Sequence, residues 1–166
     1  MPVRLLFVCL GNICRSPSAE NLMNRLLRER QLTNQVICDS AGTSAYHLGS
    51  PPDSRMAAAA AQRGLQLLGR ARQIVPKDLQ RFDWILAMDR QNYEDILTLD
   101  LSGQYWYKVK LMCDFCRRHG EQEVPDPYYG EVDGFHDVLE LLEDACGGLL
   151  EVVVRESESV SAMPPS

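Results

Sequence analysis

Five apolar residues in a row, Leu5 to Cys9, stand near the start of the chain and give way to the turn signal Gly11-Asn12. Past Ser16-Pro17, the residues Leu22, Met23, Leu26 and Leu27 recur at helical spacing. A run so short and so apolar suits a strand buried on both faces of a parallel sheet. Apolar residues three and four positions apart make one face of a helix. The order strand, tight loop, helix therefore commits the chain to packing that helix on the sheet its first strand joins. Ser16 is expected to cap the helix, Pro17 to take its first position, and Arg28 and Arg30 to fall in its last turn.

The same alternation continues along the chain. Val36 to Ser40 reads as a second strand, Phe82 to Met88 as a third, and Tyr107 to Met112 as a fourth. Helices are expected over Asp53 to Arg63, stopped by Gly64, then over Asn92 to Leu99 and over roughly Gly134 to Arg155, the last with Phe135, Val138, Leu139, Leu142, Leu149 and Leu150 on its apolar side. Strands alternating with helices imply an α/β domain built on a parallel sheet. At 166 residues the chain is one domain long. The polar end, Glu156 to Ser166, is expected to be a flexible tail outside a domain spanning residues 1–155.

Composition narrows the partners. Apolar residues make up 45% and charged residues 24%, which is ordinary for a soluble globular protein and too apolar for a disordered one. Seventeen Lys and Arg against 23 Asp and Glu leave a net charge of -6, which disfavours general affinity for nucleic acid or anionic membrane. No apolar run reaches the roughly 18 residues of a membrane span, and Leu5 to Leu10 is too short for a signal-peptide core. A cytoplasmic location is expected, with the thiols of Cys9, Cys14, Cys38, Cys113, Cys116 and Cys146 reduced.

The chemistry concentrates in Cys9-Leu10-Gly11-Asn12-Ile13-Cys14-Arg15-Ser16. A cysteine ends a strand, an arginine follows six positions on, and a helix begins there. In such a loop several backbone N–H groups converge on one spot, the helix start adds positive potential, and Arg15 supplies a planar pair of donors. This is a cradle for a phosphate, with Cys9 at its floor and the residues Leu10 to Ser16 around it. The field that attracts a dianion also favours a thiolate, so Cys9 becomes a nucleophile aimed at phosphorus. Ser16 is able to give the sulfur a further hydrogen bond.

The segment Val8 to Pro17, VCLGNICRSP, resembles the signature loop of the low-molecular-weight protein tyrosine phosphatases. Support comes from Asp39-Ser40-Ala41-Gly42-Thr43, Ala71-Arg72-Gln73, Phe82-Asp83, Ile85 to Asp89, and Asp126-Pro127-Tyr128-Tyr129-Gly130, so the likeness spans about residues 3–155. The resemblance implies a three-layer, flavodoxin-like domain of the phosphotyrosine protein phosphatase I type, with a four-stranded parallel sheet flanked by helices. It implies that Asp126, stiffened between Pro125 and Pro127, is the general acid, and that the reaction passes through a phosphocysteine with no metal or other cofactor. It also implies a left-handed Asn12 whose side chain reaches Ser40, and substrate walls at Tyr46, Tyr128 and Tyr129. Phosphotyrosine proteins are the implied substrates, inorganic phosphate the product and inhibitor, and a monomer the expected state. Tyr46 departs from a frequent tryptophan, and Gly69 from a histidine linked to the loop's polar network. Asp89 matches a family aspartate whose role stays open between structural and substrate-facing.

Related chemistries compete. Arsenate reductases of this fold need later redox cysteines, and none lies between Cys38 and Cys113. Arginine phosphatases tend to carry threonine where this chain has Ile13, and an apolar side chain there favours a phenyl ring over a guanidinium. Cys113-x2-Cys116-x2-His119 hints at zinc but shows no second ligand pair, and packing is the default for these cysteines. A phosphotyrosine binder without catalysis is the remaining alternative. Cys14 near Cys9 suggests a reversible protective disulfide.

Overall fold

The computed structural model describes residues 1–161. The opening apolar run is strand β1 (Val3–Cys9), in which Leu5 to Val8 are fully buried. Its side chains divide by parity, as a pleated strand requires: Leu5, Phe7 and Cys9 enter one apolar cluster, Leu6 and Val8 the other. Helix α1 (Arg15–Glu29) follows and lays Ala19, Leu22, Met23 and Leu27 on the first of these clusters. Strand β2 (Val36–Gly42) runs parallel to β1 and extends past the expected end at Ser40 to Gly42.

Helix α2 (Ser54–Gln62) is capped by the Asp53 carboxylate, which accepts from the amides of Arg55 and Met56. A short helix, α3 (Pro76–Arg81), was not expected from the sequence. Six residues are too few to show a period, yet Pro76 pre-sets its first turn and the Asp78 carboxylate accepts from the Val75 amide at 2.8 Å. Strand β3 (Trp84–Ala87), helix α4 (Arg90–Leu97), strand β4 (Val109–Leu111) and helix α5 (Val132–Ser161) complete the order. The sequence reading ended α5 near Arg155. The structure carries the helix through residues assigned to the flexible tail, as far as Ser161, while residues 162–166 of that tail lie outside the described residues.

The sheet is parallel throughout, in the order β2-β1-β3-β4, with helices on both faces. Elements α1, α2 and α5 cover the cluster containing Phe7 and Met88, while α3 and α4 cover the one containing Val8 and Ile85. Because β2 and β3 flank β1 on opposite sides, the chain leaves β1 in one direction and later returns in the other. The carboxyl end of β1 is thus the point where the strand order reverses and a crevice opens in such sheets. Cys9 ends β1 at that point.

Candidate active site

The loop from Leu10 to Cys14 turns tightly because it is laced to the end of β2. Thr43 donates its amide to the Cys9 carbonyl and Ser44 to that of Leu10, each at 2.9 Å. Gly42 permits this approach, since a Cβ there would stand 2.7 Å from the Leu10 carbonyl oxygen. At its centre Asn12 takes a φ of 57°, the left-handed region that asparagine tolerates better than most residues.

Asn12 is buried and all its side-chain groups are engaged. Its Nδ2 donates to Ser16 Oγ at 2.8 Å and to Ser40 Oγ at 3.0 Å, and its Oδ1 accepts the Arg72 amide at 3.0 Å. Ser40 in turn donates to Glu20 Oε1 at 2.6 Å. Ser16 Oγ accepts from Asn12, which leaves its own proton for the Cys9 sulfur 3.0 Å away or for the Ala41 carbonyl at 3.4 Å. The Asn12 amide donates to that sulfur at 3.3 Å.

Ser16 therefore acts differently from its expected role as helix cap. The helix begins at Arg15 with Cys14 in the cap position, and no side chain caps it. The amides of the first turn, which lack helical partners, stay free for an anion. Ser16 and Asn12 were expected to bind substrate. Neither is among the residues that line the cavity in front of the loop.

That cavity, of about 330 Å³, is lined by Cys9, Leu10, Gly11, Ile13, Cys14 and Arg15 on the loop side, and by Ser44, Tyr46, His47, Asp126, Tyr128 and Tyr129 around the mouth. It brings Asp126, far away in sequence, to Cys9 and Arg15. Arg15 is 2% exposed and aimed by two acceptors: Nη1 donates to Asp89 Oδ2 at 2.7 Å and to the Val124 carbonyl at 3.0 Å. Its Nη2 lies 3.6 Å from Asp126 Oδ2. The guanidinium is charged at any working pH, so the floor of the cavity carries a fixed positive group. Burial first, then Asp53 and Cys9, pushes the Cys14 thiol far up.

The sequence reading missed His47, Ser44 and the purpose of Asp89. His47 packs edge-on to Tyr46 with centroids 4.8 Å apart and lies 5.9 Å from Tyr128. A lone histidine after a tyrosine carries no sequence signal. Asp89 sits just beyond β3, adjacent to β1, and strand order alone puts its carboxylate on Arg15. Elsewhere, His119 Nδ1 is engaged by Asp144 Oδ2 at 2.7 Å, and the Asp144 carboxylate also accepts the amides of Arg117, Arg118 and His119. Among the described residues no group of three or more His, Cys, Asp or Glu is placed to hold a metal, and no helix is long and apolar enough to cross a membrane.

Known proteins resemble this chain in sequence and in fold. The family model described as low molecular weight phosphotyrosine protein phosphatase matches residues 4–159. A Synechocystis protein provisionally named a low molecular weight protein-tyrosine-phosphatase is 54% identical over 93% of this chain and 98% of its own length. A crystal structure of a protein tyrosine phosphatase from Entamoeba histolytica, with Hepes in the active site, superposes with a TM-score of 0.89 at 47% identity, covering 94% of this chain and 99% of that one. A Drosophila arginine phosphatase superposes at 0.83 with 30% identity, covering 90% and 96%. The match extends over nearly the whole sequence and every strand of the sheet, and the chain belongs to the low molecular weight phosphotyrosine protein phosphatase family.

Proposed function

We propose that the chain hydrolyses phosphotyrosine in proteins, and small aryl phosphates, through a phosphocysteine on Cys9, with Asp126 as general acid and then general base. The observation that carries this reading is the Cys9 sulfur in the cavity wall, with the Asn12 amide donating to it, Ser16 Oγ 3.0 Å from it and Arg15 lining the same cavity. In the first step the thiolate attacks phosphorus, the bond to the phenolic oxygen breaks, and Asp126 delivers its proton to that oxygen. In the second, Asp126 takes a proton from water, the water oxygen bonds to phosphorus, and the P–S bond breaks to free phosphate and the Cys9 thiolate. Ser16 supports the departing sulfur. Arg15 and the uncapped amides hold the equatorial oxygens, whose charge is the main object of stabilisation. Phosphate, occupying the same cradle, inhibits.

Ile13 and the rings of Tyr46, His47, Tyr128 and Tyr129 give the cavity an apolar, aromatic wall suited to a phenyl ring. Phosphoarginine is the competing substrate, favoured by the likeness to the Drosophila enzyme; Ile13 presents no polar partner to a guanidinium. Cys14 lines the same cavity, and the role proposed for it is to trap an oxidised Cys9 as a disulfide that a thiol reverses. The test is hydrolysis of p-nitrophenyl phosphate and of phosphotyrosine, phosphoserine and phosphoarginine peptides by wild type, Cys9→Ser and Asp126→Ala. Turnover of the phosphotyrosine peptide, absent in Cys9→Ser and about 100-fold or more slower in Asp126→Ala, is expected. Turnover by Cys9→Ser, or a preference for phosphoarginine, overturns the reading.

A further inference from the structure

The segment carrying Asp126 is held to the rest of the molecule in an unusual way. Val124 donates its amide to the Met88 carbonyl at 2.8 Å, and α5 begins at Val132. Between them, among the described residues, the one backbone hydrogen bond from residues 125–131 to another element is at the far end, where Gly134 of α5 donates its amide to the Glu131 carbonyl at 3.0 Å; none ties residues 125–130 to another element. The bonds present are local: Gly130 donates to the Pro127 carbonyl, and Tyr128 donates its amide to Asp126 Oδ1 at 3.1 Å. The placement of the acid over the cavity then depends on side chains that grip the segment from outside.

Arg55, in the first turn of α2, provides such a grip. Its guanidinium carbon lies 5.1 Å from the centre of the Tyr128 ring and 4.9 Å from that of Phe135 on α5. Phe135 is fully buried, so the pair fixes Tyr128 against the body of the domain. The guanidinium is itself anchored, with Nε 3.2 Å from Asp53 Oδ1 and Nη2 3.0 Å from Asp53 Oδ2. Asp53 also donates its backbone amide to the Ile13 carbonyl at 2.8 Å, which joins it to the cysteine loop. A continuous strut thus runs from Ile13 through Asp53 and Arg55 to Tyr128, and from Tyr128 to the carboxylate of Asp126.

We propose that Arg55 is a positioning residue for the general acid, coupling the height of Asp126 to the loop that holds the nucleophile. This rests on the phosphatase reading above. Arg55 does not line the cavity, and it acts through Tyr128. A planar guanidinium can face a ring and present two donors to a carboxylate at once; an ammonium cannot do both.

The experiment measures kcat/KM for a series of aryl phosphates whose leaving groups range from dinitrophenol, which departs without a proton, to phenol, which needs one. Wild type, Arg55→Ala, Arg55→Lys, Asp126→Ala and the double variant Arg55→Ala with Asp126→Ala are compared, with thermal melts as a check on folding. Arg55→Ala is expected to lose about tenfold on phenyl phosphate and less than about threefold on dinitrophenyl phosphate, a fraction of the 10²- to 10⁴-fold a general acid supplies. Arg55→Lys should fall between, and the double variant should be no slower than Asp126→Ala alone. A loss equal across all leaving groups, no loss at all, or additive losses in the double variant overturns the positioning role. If Arg55→Ala does not fold, the leaving-group dependence of Arg55→Lys decides in the same way. Wild-type turnover of dinitrophenyl phosphate reads the phosphatase assignment separately: where wild type is active and the variants lose rate uniformly, only the role of Arg55 fails, and where wild type is inert, both fail.

Discussion

Replacing Asp89 by asparagine isolates the aiming of Arg15 from almost everything else. Asp89 uses its two oxygens for two tasks: Oδ1 accepts the Asn92 amide at 2.7 Å and caps α4, while Oδ2 accepts from Arg15 Nη1 at 2.7 Å. Asparagine caps helices as well as aspartate, so Asp89→Asn keeps the first bond. Its amide nitrogen then faces the guanidinium, donor against donor. A hydrogen bond to a charged partner contributes about 1.5–3 kcal/mol, and Arg15, almost wholly buried, keeps the Val124 carbonyl at 3.0 Å and the more distant Asp126 carboxylate at 3.6 Å to orient it. If the loss appears wholly in the transition state, at about 1.36 kcal/mol per tenfold, kcat/KM for p-nitrophenyl phosphate falls about 13- to 160-fold. The inhibition constant of phosphate should rise alongside, with the melting temperature nearly unchanged. Asp89→Ala should show the same kinetic loss and also melt earlier, because the cap is gone. Asp89→Asn kinetics within about threefold of wild type, with phosphate inhibition intact, would refute the assignment.

Two further outcomes concern stability. A helical glycine replaced by alanine ordinarily gains about 0.5–1 kcal/mol, but a Cβ at Gly148 in α5 would be driven into the Phe115 carbonyl oxygen. Gly148→Ala is therefore expected to destabilise by about 1–3 kcal/mol, lowering the melting temperature by roughly 2–10 °C, and a rise would refute the close packing. Burial alone would raise the Asp144 carboxyl, yet the His119 ring and the amides of Arg117, Arg118 and His119 outweigh it and hold the group well below the usual carboxylate range. A depressed folded pKa contributes stability above the unfolded value of about 3.9, and that contribution is lost as pH falls below it. Melting temperature should hold from neutrality to about pH 4 and drop beneath, and Asp144→Asn should melt earlier at neutral pH with a shallower acid limb.

Local chemistry made much of this protein legible before any coordinates. Leu5 to Cys9 reads as a two-faced strand because no other element buries so short an apolar run, and it does send alternate residues into two clusters. The loop that follows is legible for the same reason: a cysteine, an arginine and a helix start within a few residues converge whatever the rest of the chain does. Ser16 shows the limit of local rules. Serine before an apolar periodic stretch reads as a cap, whereas here its hydroxyl lies against the Cys9 sulfur in the first turn. Helix α3 escaped because six residues cannot display a period.

What the sequence by itself determined is the inventory: a nucleophile, a guanidinium, an acid between prolines, and the alternating elements that carry them. Distance and direction belong to the tertiary structure. Asp89 meets Arg15 because β3 lies beside β1, Asn12 meets Ser40 because β2 lies on its other side, and Arg55 meets Tyr128 because α2 and α5 share a face of the sheet. None of these contacts is encoded by spacing along the chain. They follow from which strands pair and which helices share a core, and that is settled by the burial of the whole apolar surface together.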